Sequence, residues 1–201
     1  MHHLRDLTLY VVRHGQTEDN VAGRWTGRND SHLTELGRRH ARASGEVLRR
    51  IVHDLDSFDF VASPLHRACV TMELLLDGAG LHARRYRTDR RLMENDCGDF
   101  TGLAEDHIRA HHGEHHARLR EDEWNWTAPG GQSQAEQYAL IGRFLATVAR
   151  HSVIVCHGLT IRLLRAHILG LSRDEALGHP FHDFGVLRYQ GGNETLFDVQ
   201  G

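Results

Sequence analysis

Two short apolar runs in this chain end in the same dipeptide. Leu7-Thr8-Leu9-Tyr10-Val11-Val12 leads into Arg13-His14-Gly15, and Ser152-Val153-Ile154-Val155 leads into Cys156-His157-Gly158. Short, almost continuously apolar runs that end at a turn signal fit strands buried on both faces, as in a parallel sheet. In an open α/β sheet, ligands bind in the crevice outside the carboxyl ends of the strands. If both runs are central and parallel, two imidazoles from opposite ends of the sequence open into one pocket.

The remaining pattern alternates in the same sense. Thr34 to Val52 reads as a helix capped by Thr34, with Leu36, Ala43, Val47, Leu48 and Ile51 roughly on one face. Phe58 to Ala62 reads as a strand, Leu65 to Leu76 as a helix closed by Asp77-Gly78, and Ala83 to Thr88 as a further strand. Ser133-Gln134-Ala135-Glu136 is a capping box opening a helix to Ala149. Val153 to Cys156 is a strand, Leu159 to Leu169 a helix, and Phe184 to Tyr189 and Thr195 to Val199 close the chain as strands. Such alternation implies an α/β fold: a three-layer αβα sandwich with a mostly parallel central sheet and helices on both faces. At 201 residues the expectation is one domain over 1–201. Residues 95–131, polar, histidine-rich and irregular with short helical pieces at most, are the candidate cap over the pocket.

Composition narrows the chemistry. No lysine occurs; all 24 basic residues are arginine. Schiff-base chemistry and a phosphate-loop lysine are thereby excluded. Oxyanion recognition falls to arginine, whose planar fork binds bidentately. A net charge of −3 argues against a general polyanion binder, so no nucleic-acid partner is expected. No apolar run approaches the roughly 20 residues of a membrane span, and no signal-peptide pattern opens the chain. Three cysteines without paired spacing (Cys69, Cys97, Cys156) argue against a disulfide framework, so a reducing cytoplasm is the expected location.

Three further segments bear candidate chemistry. His14 is followed by a loop rich in glycine and polar groups (Gly15, Gln16, Thr17, Asn20, Gly23, Thr26, Gly27), suited to close approach of backbone N–H groups to an anion. Ser63-Pro64-Leu65-His66-Arg67-Ala68 sets Arg67 in the first turn of a helix at the same rim of the sheet. Arg91-Leu92-Met93-Glu94 places a carboxyl group just before the insertion, where a shielded site could raise its pKa. Together these residue types point to phosphoryl transfer. A neutral imidazole attacks phosphorus, two arginines and a protonated second histidine neutralise the equatorial oxygens, and a carboxylic acid protonates the departing alkoxide. The reaction needs no metal or cofactor, and no carboxylate cluster suits Mg²⁺.

In order along the chain these residues resemble the histidine phosphatase superfamily, with its phosphoglycerate-mutase-like fold. The motifs are Arg13-His14-Gly15-Gln16-Thr17 with Asn20; Gly27, Asp30, Leu33, Thr34 and Gly37; Ser63 to Ala68; Glu94; Pro129-Gly130-Gly131-Gln132-Ser133; and His157-Gly158. The resemblance implies that His14 becomes phosphohistidine. It implies that Arg13, Arg67 and His157 hold the phosphoryl group with help from Asn20, the Thr26-Gly27 backbone and Gly158, and that Glu94 protonates the leaving group and then activates water. Thr101 and Gln132 stand where the family often has Glu, and His182-Asp183-Phe184-Gly185 lacks a frequent Asn.

The resemblance points to the phosphatase branch and a small phosphomonoester substrate, with phosphoglycerate-mutase-type transfer as the alternative. Mutase members of the family are longer, and no lysine here awaits a substrate carboxylate, although Arg109, Arg118 or Arg120 could substitute. Trp124, Trp126 and those three arginines are the expected selectors of substrate. Two rival readings remain: a cysteine phosphatase using the Cys156-x5-Arg162 spacing, and a binding module without turnover, disfavoured because His14, Arg67, Glu94 and His157 are all present. His107, His111 and His115 would share one face of a continuous helix, an arrangement read as solvated cap surface rather than a metal site. Monomer and homodimer are both compatible with the sequence.

Overall fold

The computed structural model describes residues 2–179 and 184–199. Its strands are β1 (Thr8–Arg13), β2 (Asp59–Ala62), β3 (Arg87–Thr88), β4 (Ser152–Cys156), β5 (Val186–Gln190) and β6 (Asn193–Phe197). They form one sheet in the order β3-β2-β4-β1-β5-β6. The pairs β1–β4, β2–β4 and β2–β3 are parallel, whereas β5 and β6 add an antiparallel hairpin along one edge. The helices are α1 (Glu18–Val21), α2 (Glu35–Ile51), α3 (His66–Gly78), α4 (Glu105–His111), α5 (Gly113–Glu121), α6 (Gln134–Leu145), α7 (Gly158–Leu169) and α8 (Arg173–Gly178).

Side chains alternate across a strand, so the central strands feed two cores. Leu9, Val11, Ile154 and Cys156 pack with Ile141, Phe144, Leu163 and Leu164 of α6 and α7. Tyr10, Val12, Val153 and Val155 pack on the opposite face with Val47, Leu48, Met72 and Leu75 of α2 and α3. This is the three-layer sandwich. It also makes a switch point: the chain leaves β1 for α2 on one face and leaves the adjacent β4 for α7 on the other. The crevice that opens between two such strands lies at their carboxyl ends, and Arg13 pairs with Cys156 at that end.

The anticipated caps are present. Thr34 Oγ1 accepts from Gly37 N–H, and Ser133 and Glu136 complete a capping box; each such cap is worth about 1 kcal/mol. Some boundaries differ from the sequence expectation. The strand anticipated from Ala83 shrinks to Arg87–Thr88, because the turn at Leu81 to Arg84 occupies its start and its few residues are an exposed sheet edge. Helix α6 stops at Leu145 rather than Ala149, with Ala146 as its C-cap. Helix α8, capped by a Ser172–Glu175 box, was not anticipated.

Residues 95–131 carry two short helices and a small core of their own, in which Phe100, Ile108 and Ala128 are buried against Trp25, Leu103 and Trp126. Backbone bonds from Trp25 N–H to Leu103 O and from Gly102 N–H to Trp25 O tie this segment to the loop after β1. The expected single helical face of His107, His111 and His115 does not form. The helix breaks at His112, so His107 and His111 stack in α4 while His115 packs on Phe100 from α5.

Candidate active site

His14 and His157 each lie one residue beyond the Arg13–Cys156 pair, and His14 N–H donates to Cys156 O. Their ring centroids are 5.1 Å apart. The two imidazoles therefore meet, as their strand ends required. They do not both open on the cavity. His14 lines it, whereas His157 is 0% exposed, with Gly158 and Leu159 of α7 forming the wall beside it. Burial, followed by the charges of Arg67 and Arg13, holds the pKa of each ring well below the usual 6.5, and His14 adds to the effect on His157. Against the expected protonated His157, burial and two neighbouring guanidinium groups favour the neutral ring until an anion lies beside it.

Hydrogen bonds orient His14. Its Nδ1 lies 2.8 Å from Gly15 O, which can only accept, so Nδ1 carries the proton. Nε2 is left with its lone pair, and Arg67 Nε–H donates towards it at 3.3 Å. The other two guanidinium nitrogens of Arg67 donate to Asn29 O and Gly27 O, each at 2.7 Å. Arg67 is 1% exposed and held at three points, so its direction is set by the backbone around it.

Close backbone approach builds the loop. A Cβ on Gly15 would lie 2.3 Å from Gly37 O, and one on Gly37 would lie 2.2 Å from Gln16 O. Only two glycines let the first turn of α2 rest on the His14 loop. Gly15 N–H then donates to Thr71 Oγ1, whose hydroxyl donates to Arg67 O, coupling the loop to α3.

Glu94 reaches the cavity from the segment after β3. Asn95 N–H donates to its Oε1 at 2.9 Å, and Leu159 N–H, at the start of α7, donates to its Oε2 at 3.3 Å. Arg13, Asn20, Thr26, Gly27 and Gly158 complete the inner lining. Asn20 also bonds Thr17 N–H through Oδ1, which fixes its backbone. Thr26 Oγ1 and His157 Nδ1 are among the buried polar atoms without a hydrogen-bond partner in the described residues.

Every residue the sequence singled out as catalytic or phosphate-binding therefore gathers at one site, with His157 behind rather than in the wall. Residues 9–199 match the family description "Histidine phosphatase superfamily (branch 1)". The chain belongs to the histidine phosphatase superfamily. Within it, the chain is similar to 2,3-bisphosphoglycerate-dependent phosphoglycerate mutases of Brucella anthropi and Brucella melitensis, each 33% identical over 177 residues, 85% of either chain. Among solved structures it resembles a mycobacterial glucosyl-3-phosphoglycerate phosphatase in complex with VO3, at 29% identity and a TM-score of 0.74, covering 96% of this chain and 98% of that one. The alpha-ribazole phosphatase from Shigella flexneri, at 22% identity and a TM-score of 0.79 with 97% and 96% covered, shows the shared fold.

The cysteine-phosphatase reading does not fit this site. Cys156 is 0% exposed in the core, and burial pushes its thiol far up, away from a thiolate. Arg162 does line the cavity, but it pairs with Glu123 at 2.8 Å. Of the expected selectors, Arg120 and Trp126 line the cavity. Trp124 instead packs on Tyr138, Arg109 pairs with Asp106 at the surface, and Arg118 is exposed. Trp25, Glu105, Glu123 and Gln134 line the cavity without having been singled out, and His116 of the histidine-rich cap segment lines it as well. The one local signal was Trp25, lying between Arg24 and Thr26 in the glycine-rich loop. Cys97 also lines the wall, and burial followed by Glu94 pushes its thiol up to about 12. Among the described residues, no group of three His, Cys, Asp or Glu side chains is arranged to hold a metal ion. No helix among them is long and apolar enough to cross a membrane. His182 and Asp183 of the divergent final motif lie outside the described residues.

Proposed function

We propose that this protein is a phosphomonoester hydrolase acting through a phosphohistidine at His14. The observation that carries the reading is the His14 ring itself: neutral, with its proton on Nδ1 towards Gly15 O and its Nε2 lone pair beside Arg67. In the first step Nε2 forms the N–P bond, the bond from phosphorus to the alcohol oxygen breaks, and the Glu94 carboxyl group gives that oxygen its proton. In the second step Glu94 takes a proton from water as the water oxygen attacks phosphorus. The P–N bond breaks and phosphate leaves. Arg13 and Arg67 face the charge on the equatorial oxygens, with Asn20, Thr26 Oγ1 and the Gly27 and Gly158 backbone around them.

His157 acts from behind. Leu65 N–H donates to Ser63 Oγ, and in this reading the Ser63 hydroxyl donates its own hydrogen bond to His157 Nε2, 2.7 Å away. The His157 proton then sits on Nδ1, a buried donor that a phosphoryl oxygen would satisfy. An unmet buried donor costs about 1–3 kcal/mol. A dianion between Arg13 and Arg67 also supplies the counter-charge that favours protonation of this ring.

Phosphoryl transfer between two alcohols is the second reading, favoured by the names of the Brucella relatives. Chain length does not separate the two, because the aligned 177 residues make up the same share of this chain and of those mutases. The substrate is a small phosphorylated molecule and the site of action the cytoplasm. Incubation with p-nitrophenyl phosphate tests the chemistry. Wild type should release phosphate and, when quenched, carry an acid-labile, base-stable phosphoryl group that His14→Asn lacks. Turnover by His14→Asn at the wild-type rate would end the reading.

A further inference from the structure

We infer that the outer chamber of this cavity selects an uncharged alcohol bearing several hydroxyl groups, and that Glu123 enforces the choice by neutralising Arg162. The inference rests on the phosphomonoester reading of the inner site and names the substrate class. The cavity measures about 650 Å³. That is within the roughly 300–1,000 Å³ of pockets that enclose whole small molecules, so most of its space belongs to the alcohol.

Two carboxylates stand in the outer wall. Glu105 Oε2 accepts from Trp25 Nε1–H at 2.7 Å, and its Oε1 lies 3.0 Å from His116 Nε2. Glu123 Oε1 accepts from Arg162 at 2.8 Å and from Gln134 Nε2–H at 2.9 Å. Among the described residues nothing donates to Glu123 Oε2. Gln134 is buried, and because its nitrogen is committed to Glu123, its Oε1 is an acceptor that receives no hydrogen bond. The Glu105 and Glu123 carboxylates therefore offer acceptors along this wall, which hydroxyl groups satisfy and carboxylates do not. Trp25 and Trp126 meet edge to face, with centroids 6.2 Å apart, and form an apolar corner for the carbon face of a ring.

Arg162 is the largely shielded cation that a substrate carboxylate would seek, with a side chain 11% exposed. Glu123 occupies it. Arg24 and Arg120, the remaining outer cations, are exposed at the rim, where water and salt weaken their pull. The arrangement accepts hydroxyl groups and withholds Arg162 from a substrate carboxylate, so the preference comes from a cation already paired.

The test compares glucose 6-phosphate, adenosine 5′-monophosphate and 3-phosphoglycerate as substrates. It also measures their binding to His14→Ala protein, which needs no turnover. The expected result is that at least one of the two hydroxyl-bearing monoesters exceeds 3-phosphoglycerate tenfold or more in kcat/KM and in affinity; which one leads separates a sugar from a nucleoside. In Glu123→Gln, Arg162 loses its carboxylate, and the selectivity ratio should move at least tenfold towards 3-phosphoglycerate. A wild-type preference for 3-phosphoglycerate, or a ratio unmoved by Glu123→Gln, overturns the inference. Should p-nitrophenyl phosphate not be hydrolysed at all, the hydrolase reading fails, while the binding comparison still decides this one.

Discussion

Arg67 Nε–H lies 3.3 Å from His14 Nε2, and the same guanidinium donates to Gly27 O and Asn29 O. One side chain thus reads the position of the His14 ring and of the loop that faces it. Because it is buried, its hydrogen bonds are worth more than they would be in water.

Lysine cannot copy this fork. Arg67→Lys keeps the charge but cannot reproduce the three divergent donors. Loss of a directed donor to developing charge commonly costs about 10²–10³ in rate. We expect kcat/KM on p-nitrophenyl phosphate to fall by that order in Arg67→Lys. A variant within threefold of wild type would show that charge alone suffices.

Glu94 can be separated from the arginines by leaving group. If its carboxyl group protonates the alkoxide, Glu94→Gln should lower kcat/KM for glycerol 2-phosphate by about 10²–10⁴. For p-nitrophenyl phosphate, whose phenolate leaves without a proton, the loss should be much smaller. An equal loss on both esters would assign Glu94 a positioning role through Asn95 and Leu159 instead.

The buried histidines make a prediction about stability. Both folded-state pKa values are depressed, by burial first and then by neighbouring cations. In the unfolded chain a histidine titrates near ~6.5. Below that value the unfolded state binds protons that the folded state refuses, so stability falls as pH falls; above it the contribution is complete. Each ring contributes a slope of about 1.4 kcal/mol per pH unit below ~6.5. Urea unfolding between pH 7.5 and 5.5 should therefore show a shallower loss in His157→Asn than in wild type. Parallel pH dependence in the two proteins would contradict the assignment of a neutral His157.

The contact between Gly37 and Gln16 O leaves no room for a methyl group. Gly37→Ala must push the first turn of α2 off the His14 loop, at a cost of about 1–3 kcal/mol or more. Gly113→Ala, in α5 with nothing within 4 Å, should be neutral or stabilising. Chemical denaturation of the two variants checks the contrast, and a Gly37→Ala protein as stable as wild type would remove steric approach as the reason for that glycine.

The alternation of Leu9 and Val11 with Tyr10 and Val12, the Thr34 and Ser133 caps, and the two His-Gly strand ends were all legible in the chain, because period, cap chemistry and turn residues act locally. From them followed the sandwich, the meeting of His14 with His157, and the gathering of Arg67 and Glu94. Local pattern failed where partners are distant. Nothing near His157 signals that it would be fully buried at the start of α7, with its pKa held down by desolvation and then by Arg67, His14 and Arg13, since desolvation is a property of the whole pocket. Nor does the surrounding sequence of Glu105, Glu123 or Gln134 mark them as lining the same cavity as His14. They reach it because α4 and α5 fold over Trp25 on a small core shared with Phe100 and Ile108. The sequence alone determined the fold and which residues gather around His14; the packing of residues 95–131 decided which acceptors and cations face the cavity, because that choice depends on contacts between segments far apart in the chain.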